Sequence, residues 1–75
     1  MKWKQLVLRC VEDLCSKKGS NMFNTSEIYE YEAELSSHYP QNHTVKEKIR
    51  QQLQYLRNDG HIVFLDNNGN YMLRK

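Results

Sequence analysis

Residues 43–60 read HTVKEKIRQQLQYLRNDG, and this stretch decides the fold. Val45, Ile49, Leu53 and Leu56 recur at three- and four-residue spacing and form one apolar stripe on a helix. Glu47, Arg50, Gln51, Gln54 and Asn58 fall opposite it. Thr44 followed three residues later by Glu47 has capping-box spacing, and Gly60 stands just past the last periodic residue. Both ends of a helix over residues 45–58 are therefore marked. Arginine pairs bidentately with guanine and glutamine with adenine in a major groove wide enough to admit a helix. The same residue types are also good surface helix formers, so this face is read through its setting.

Toward the N-terminus, Leu6, Val7, Cys10, Val11 and Leu14 are spaced as a second helical stripe, predicting a helix over residues 2–17 that Gly19 terminates. Trp3 precedes that stripe and is read in two ways, as an aromatic lid over the core or as a contact to a ligand or nucleic acid. Residues 21–23 suit a single edge strand. Asn24 with Glu27 repeats the capping-box spacing and predicts a helix over residues 25–36 with Ile28, Tyr31 and Leu35 inward and Tyr29 on the flank. Beyond Gly60, HIVFL and YML are β-rich runs separated by Asp66-Asn67-Asn68-Gly69-Asn70. A two-residue turn at Asn68-Gly69 would set Phe64 opposite Leu73 and put Ile62, Phe64, Tyr71 and Leu73 on one side.

Helix, short strand, helix, helix, strand, strand in a chain of 75 residues is the order of an α+β winged helix-turn-helix: a three-helix core with a small antiparallel sheet, in one domain. Charge is distributed unevenly. Residues 1–20 carry a net +3, 21–40 carry −4, 41–60 carry +2 and 61–75 carry +1. A phosphate backbone would repel Glu27, Glu30, Glu32 and Glu34, so most of that helix must face away from any DNA. Its start is different, because free backbone N–H groups with Asn24, Thr25 and Ser26 can hold a phosphate oxygen or act simply as caps.

Other classes are disfavoured. His38, His43, His61, Cys10 and Cys15 show no zinc spacing, and the chain lacks a nucleophile elbow, a glycine-rich phosphate loop or a paired-carboxylate site. No enzyme, metal or cofactor is expected. Cys10 and Cys15 lie five apart on one predicted helix, where their side chains diverge, and are expected as reduced thiols. No apolar run approaches membrane-spanning length, and MKWKQ lacks a signal-peptide core. The expectation is a cytoplasmic protein of a prokaryote or virus.

FNTSEIYEYEAEL at residues 23–35 and HYPQNHTVKEKIRQQLQYLRNDGHIVFLDNNGNYML at residues 38–73 resemble the C-terminal winged-helix domain of DpnI-like, methyl-directed type IIM restriction endonucleases. The resemblance spans residues 22–74 and is most specific over 49–64. Leu53, Leu56, Gly60 and Ile62 within it are packing and capping positions shared with gene-regulatory winged helices. The resemblance implies binding of double-stranded DNA carrying N6-methyladenine, with GATC methylated on both strands as the leading site. The chain has no room for a nuclease domain, so it reads as an excised or stand-alone reader, with any nuclease activity in a separate domain.

On this reading Lys46, Arg50, Gln51 and Gln54 are the candidates for base edges or adjoining phosphates, and His43 and Thr44 for phosphate at the helix N-terminus. Asn24, Thr25 and Ser26 are further phosphate candidates, Asn67, Asn68 and Asn70 are candidates from the wing, and Trp3 is the candidate for an apolar methyl contact. One monomer suffices for the palindrome, since its two methyl groups lie close together in the groove. Two alternatives stay open: a protein-interaction winged helix using the acidic helix, and a regulator that binds unmethylated operator DNA as a dimer.

Overall fold

The stripe of Leu6, Val7, Cys10, Val11, Leu14 and Cys15 is buried along helix α1 (Trp3–Lys18), which lies against helix α4 (Val45–Asn58). The computed structural model describes residues 2–38 and 44–74. Between these helices come strand β1 (Met22–Asn24), helix α2 (Thr25–Tyr29) and helix α3 (Glu32–His38); strands β2 (Ile62–Phe64) and β3 (Asn70–Leu73) follow α4. The sheet is antiparallel in the order β1-β3-β2. This is a winged helix-turn-helix, with α1, the α2–α3 pair and α4 as the helical core and β2–β3 as the wing.

The apolar stripe of α4 does what its spacing predicts. Val45, Ile49, Leu53 and Leu56 are all buried, and Gln52 joins them at 6% exposure. The helix ends at Gly60, whose φ of 84° lets its N–H donate to the Arg57 carbonyl while the His61 N–H donates to that of Leu56. Its start differs from the sequence expectation. Thr44 makes no side-chain cap to the helix, so the predicted capping box with Glu47 does not form; the helix begins with the Lys48 N–H donating to the Thr44 carbonyl. Asn24 and Glu27 do form one: the Glu27 N–H donates to Asn24 Oδ1 at 2.9 Å and the Asn24 N–H to Glu27 Oε1 at 3.0 Å.

The second predicted helix is broken. The N–H groups of Glu30 and Tyr31 donate three residues back, to Glu27 and Ile28, which overwinds the chain before α3 begins. No proline or glycine marks this break. Across it, Tyr31 Oη donates to Asp13 Oδ2 on α1 at 2.7 Å, while Ile28 and Leu35 on either side are both sealed in the core. A straight helix was the local expectation, and contacts with α1 accompany its replacement by two short ones.

The wing register also departs from expectation. Phe64 pairs with Tyr71 and Ile62 with Leu73, so the connection is longer than an Asn68-Gly69 turn. A type I′ turn needs positive φ at both central residues, and among the described residues only glycines adopt it. Asp66 provides the alternative. Its Oδ1 accepts from the N–H groups of Asn68 and Asn70, and its Oδ2 accepts from Asn70 Nδ2 at 2.8 Å. The shift is by two residues, so the inward face is unchanged: Ile62, Tyr71 and Leu73 are buried and Phe64 packs against the core. Tyr71, on the central strand, lies 5.2 Å from Phe23 and 4.9 Å from Phe64 between ring centroids.

Candidate nucleic-acid interface

At 3.6 residues per turn, burial of one α4 stripe leaves a crest formed by Glu47, Gln51, Gln54 and Asn58, with Arg50 and Tyr55 on opposite shoulders. All six are exposed. The Arg50 shoulder faces the wing. Here Thr25, Tyr29, Arg50, Gln54, Asn67 and Asn68 line one open groove between α2, α4 and the hairpin. Thr44, Arg50, Gln51 and Gln54 line a second shallow depression along the crest. The structure thus brings together most of the residues singled out from sequence.

Three lysines elsewhere are engaged by carboxylates: Lys4 by Asp59 at 2.6 Å, Lys17 by Asp13 at 3.0 Å and Lys18 by Glu27 at 2.8 Å. In α4, Lys46, Lys48, Arg50 and Arg57 form no ion pair with any described residue. Lys46 Nζ lies 5.6 Å from the Tyr29 ring centroid and the Arg57 guanidinium 4.5 Å from that of Phe64, both within cation–π range. Glu47 is the one carboxylate of α4. Among the acidic groups of α2 and α3, Glu27 is engaged by Lys18, whose ammonium holds it below its usual carboxylate range.

The α2 start has less free capacity than its composition suggests. Asn24 Oδ1 is committed to the capping box, and Thr25 is the tether of the wing. The Thr25 N–H and Oγ1 both donate to the Gly69 carbonyl, and Oγ1 shares a 3.0 Å hydrogen bond with the Tyr71 hydroxyl. Gly69, at φ 88°, comes so close that a Cβ there would strike Thr25 Oγ1. Ser26 is exposed, and so are Asn67, Asn68 and Asn70 at the hairpin. Trp3 stands apart from the groove. It is half-buried against the core and lines a different depression with Gln52, Tyr55 and Asn58. His43 lies outside the described residues.

Sequence reasoning underrated two residues. Tyr29 was legible only as a flank, yet its ring centroid lies 5.6 Å from Lys46 Nζ and it lines the same groove as Arg50. Burial raises its phenol pKa, and the Arg50 guanidinium offsets part of that rise. Asp66 was legible only as a polar loop residue, although Asp at the head of a turn is a known organiser of backbone N–H groups. Hydrogen bonds from Asn70 Nδ2 and then the Asn68 N–H hold its carboxyl below the usual carboxylate range. A carboxyl with a depressed folded pKa contributes order that is present above its unfolded value and is lost as pH falls through the folded one. The amide resonances of Asn68 and Asn70 are therefore expected to stay constant down to the ordinary aspartate range and to move only below it. A midpoint at or above the ordinary aspartate value in an NMR titration would remove Asp66 as the organiser of the tip.

Cys10 and Cys15 are buried on α1, away from this face. Burial first, then Glu34 and Asp13, push the Cys10 thiol up to about 11, so it stays protonated and unreactive near neutral pH. Among the described residues no cluster of three or more His, Cys, Asp or Glu is placed to hold a metal, and no helix is long and apolar enough to cross a membrane. A family model described as the Dam-replacing HTH domain matches residues 1–73.

Proposed function

Because the chain belongs to the Dam-replacing HTH domain family, a family of DNA-binding helix-turn-helix domains, we propose that α4 reads duplex DNA through the major groove and favours N6-methyladenine in GATC. The observation that carries the groove assignment is the set of cations on α4 that form no ion pair with any described residue, beside a crest of exposed glutamines. A polyanion is the natural complement of such a face, and glutamine amides supply both a donor and an acceptor for base edges. Arg50, Gln51 and Gln54 are assigned to base edges, and Lys46 and Thr44 to phosphates at the helix start. Ser26, with the remaining capacity of Asn24 and Thr25, flanks one backbone, and Asn67 and Asn68 approach it from the wing through amide rather than charged groups.

An N6-methyl group that preserves Watson–Crick pairing points to the N7 side of adenine and obstructs the two-bond approach of glutamine. Preference for the methylated base therefore requires apolar surface beside the polar crest. The test is an anisotropy titration of three otherwise identical GATC duplexes carrying two, one or no N6-methyl groups. The expected order of affinity follows the number of methyls, all three weaken with added salt, and one chain binds per duplex. Equal affinity for the three ends the methylation assignment while leaving DNA binding intact. Binding that ignores salt ends the groove assignment itself.

A further inference from the structure

We infer that Tyr55 is a specificity residue of α4: its ring is the apolar surface that receives a base methyl group, and its hydroxyl fixes the orientation of Gln51 beside it. The inference rests on the groove reading above and deepens it.

A reading helix that distinguishes a methyl group needs an apolar patch that is exposed before binding and buried by it. Among the described residues the large hydrophobic side chains that remain exposed are Met22 at 54%, Tyr55 at 45% and Leu65 at 43%. Met22 lies on β1 and Leu65 just after β2, so only Tyr55 stands on α4. Trp3 is half-buried against the core, which removes much of the surface a methyl would use.

The hydroxyl end of Tyr55 has its own role. Gln51 Nε2 donates to Tyr55 Oη at 3.2 Å, and Lys48 Nζ reaches Gln51 Oε1 at 3.5 Å. Spacings of three and four residues put the three side chains side by side on one shoulder of the helix. The amide is turned with its nitrogen toward Tyr55 and its oxygen toward Lys48, leaving one N–H and one lone pair for a base edge. Methyl surface and polar reader are thereby placed one turn apart.

Two major-groove methyls meet this chemistry, the C5-methyl of thymine and the N6-methyl of modified adenine, and the duplex separates them. One GATC duplex is prepared with N6-methyladenine, with plain adenine, and with uracil in place of thymine. Each is titrated against the full chain and the variants Tyr55→Phe, Tyr55→Gln and Tyr55→Ala, with folding checked by circular dichroism. The unaltered chain should lose about fourfold in affinity on removal of the methyl that docks, the value for one methyl-sized group returned to water. Tyr55→Phe should keep that ratio, and whichever of Tyr55→Gln and Tyr55→Ala folds should abolish it. The hydroxyl is read separately: Tyr55→Phe should weaken binding in the native background and have no effect when Gln51 is already alanine.

A folded Gln or Ala variant that retains the full methyl ratio overturns the inference. So does a Tyr55→Phe effect that survives Gln51→Ala, or affinity indifferent to both methyls while salt-dependent DNA binding persists. Absence of any salt-dependent DNA binding by the unaltered chain would instead overturn the groove reading on which this one stands.

Discussion

Leu53→Ala is expected to remove a large part of the domain's stability. Leu53 is fully buried at the centre of α4, in the cluster where α1, α4 and the sheet meet. Truncating a buried leucine costs about 2–5 kcal/mol, the lost transfer energy plus the cavity left behind. A core in a chain of this size supplies roughly 3–5 kcal/mol of net stability, so the two quantities are comparable. Each 1 kcal/mol shifts the midpoint of a domain this small by about 4–8 °C. A thermal melt should therefore fall by at least about 8 °C. A midpoint within a few degrees of the unaltered protein would mean that α4 is not the keystone of the fold.

Arg50→Ala is expected to have the largest effect on DNA among single substitutions of the exposed face. Its guanidinium has no carboxylate partner among the described residues and borders both the groove toward the wing and the depression along the crest. Loss of a bidentate base contact weakens specific binding by about 1–3 kcal/mol and relaxes preference at one base position. Lys46→Ala provides the contrast, because loss of a phosphate contact weakens all sequences alike and lowers the salt slope by about 0.9. Gln51→Ala and Gln54→Ala should resemble Arg50→Ala in kind. If all three retain full discrimination between sequences, base reading lies elsewhere in the domain.

These expectations rest on features that differ in how local they are. The extent of α4, its buried stripe and its exposed glutamines followed from periodicity, because a helix presents every third and fourth residue on one face whatever it packs against. The same holds for the Asn24–Glu27 cap, whose partners are three residues apart, and for the inward face of the hairpin, which survives a two-residue change of register because strand side chains alternate with period two. Thr44 shows where local spacing is insufficient. It has the capping-box pattern, yet its backbone, at φ −118° and ψ 49°, does not adopt the extended conformation that lets Asn24 cap α2.

Sequence by itself thus determined the order of elements, apart from the division of the second helix into two, together with the buried stripes of α1 and α4 and the residues that α4 turns outward. Tertiary structure decided the break at Glu30–Tyr31, the wing register, the half-buried position of Trp3 and which lysines are engaged by carboxylates. The physical reason is the distance along the chain between interacting groups. Tyr31 bonds to Asp13 across 18 positions, Thr25 to Gly69 across 44 and Lys4 to Asp59 across 55, and no local pattern encodes such partnerships. Whether a lysine is neutralised or left for a polyanion is settled by which carboxylate the fold brings beside it.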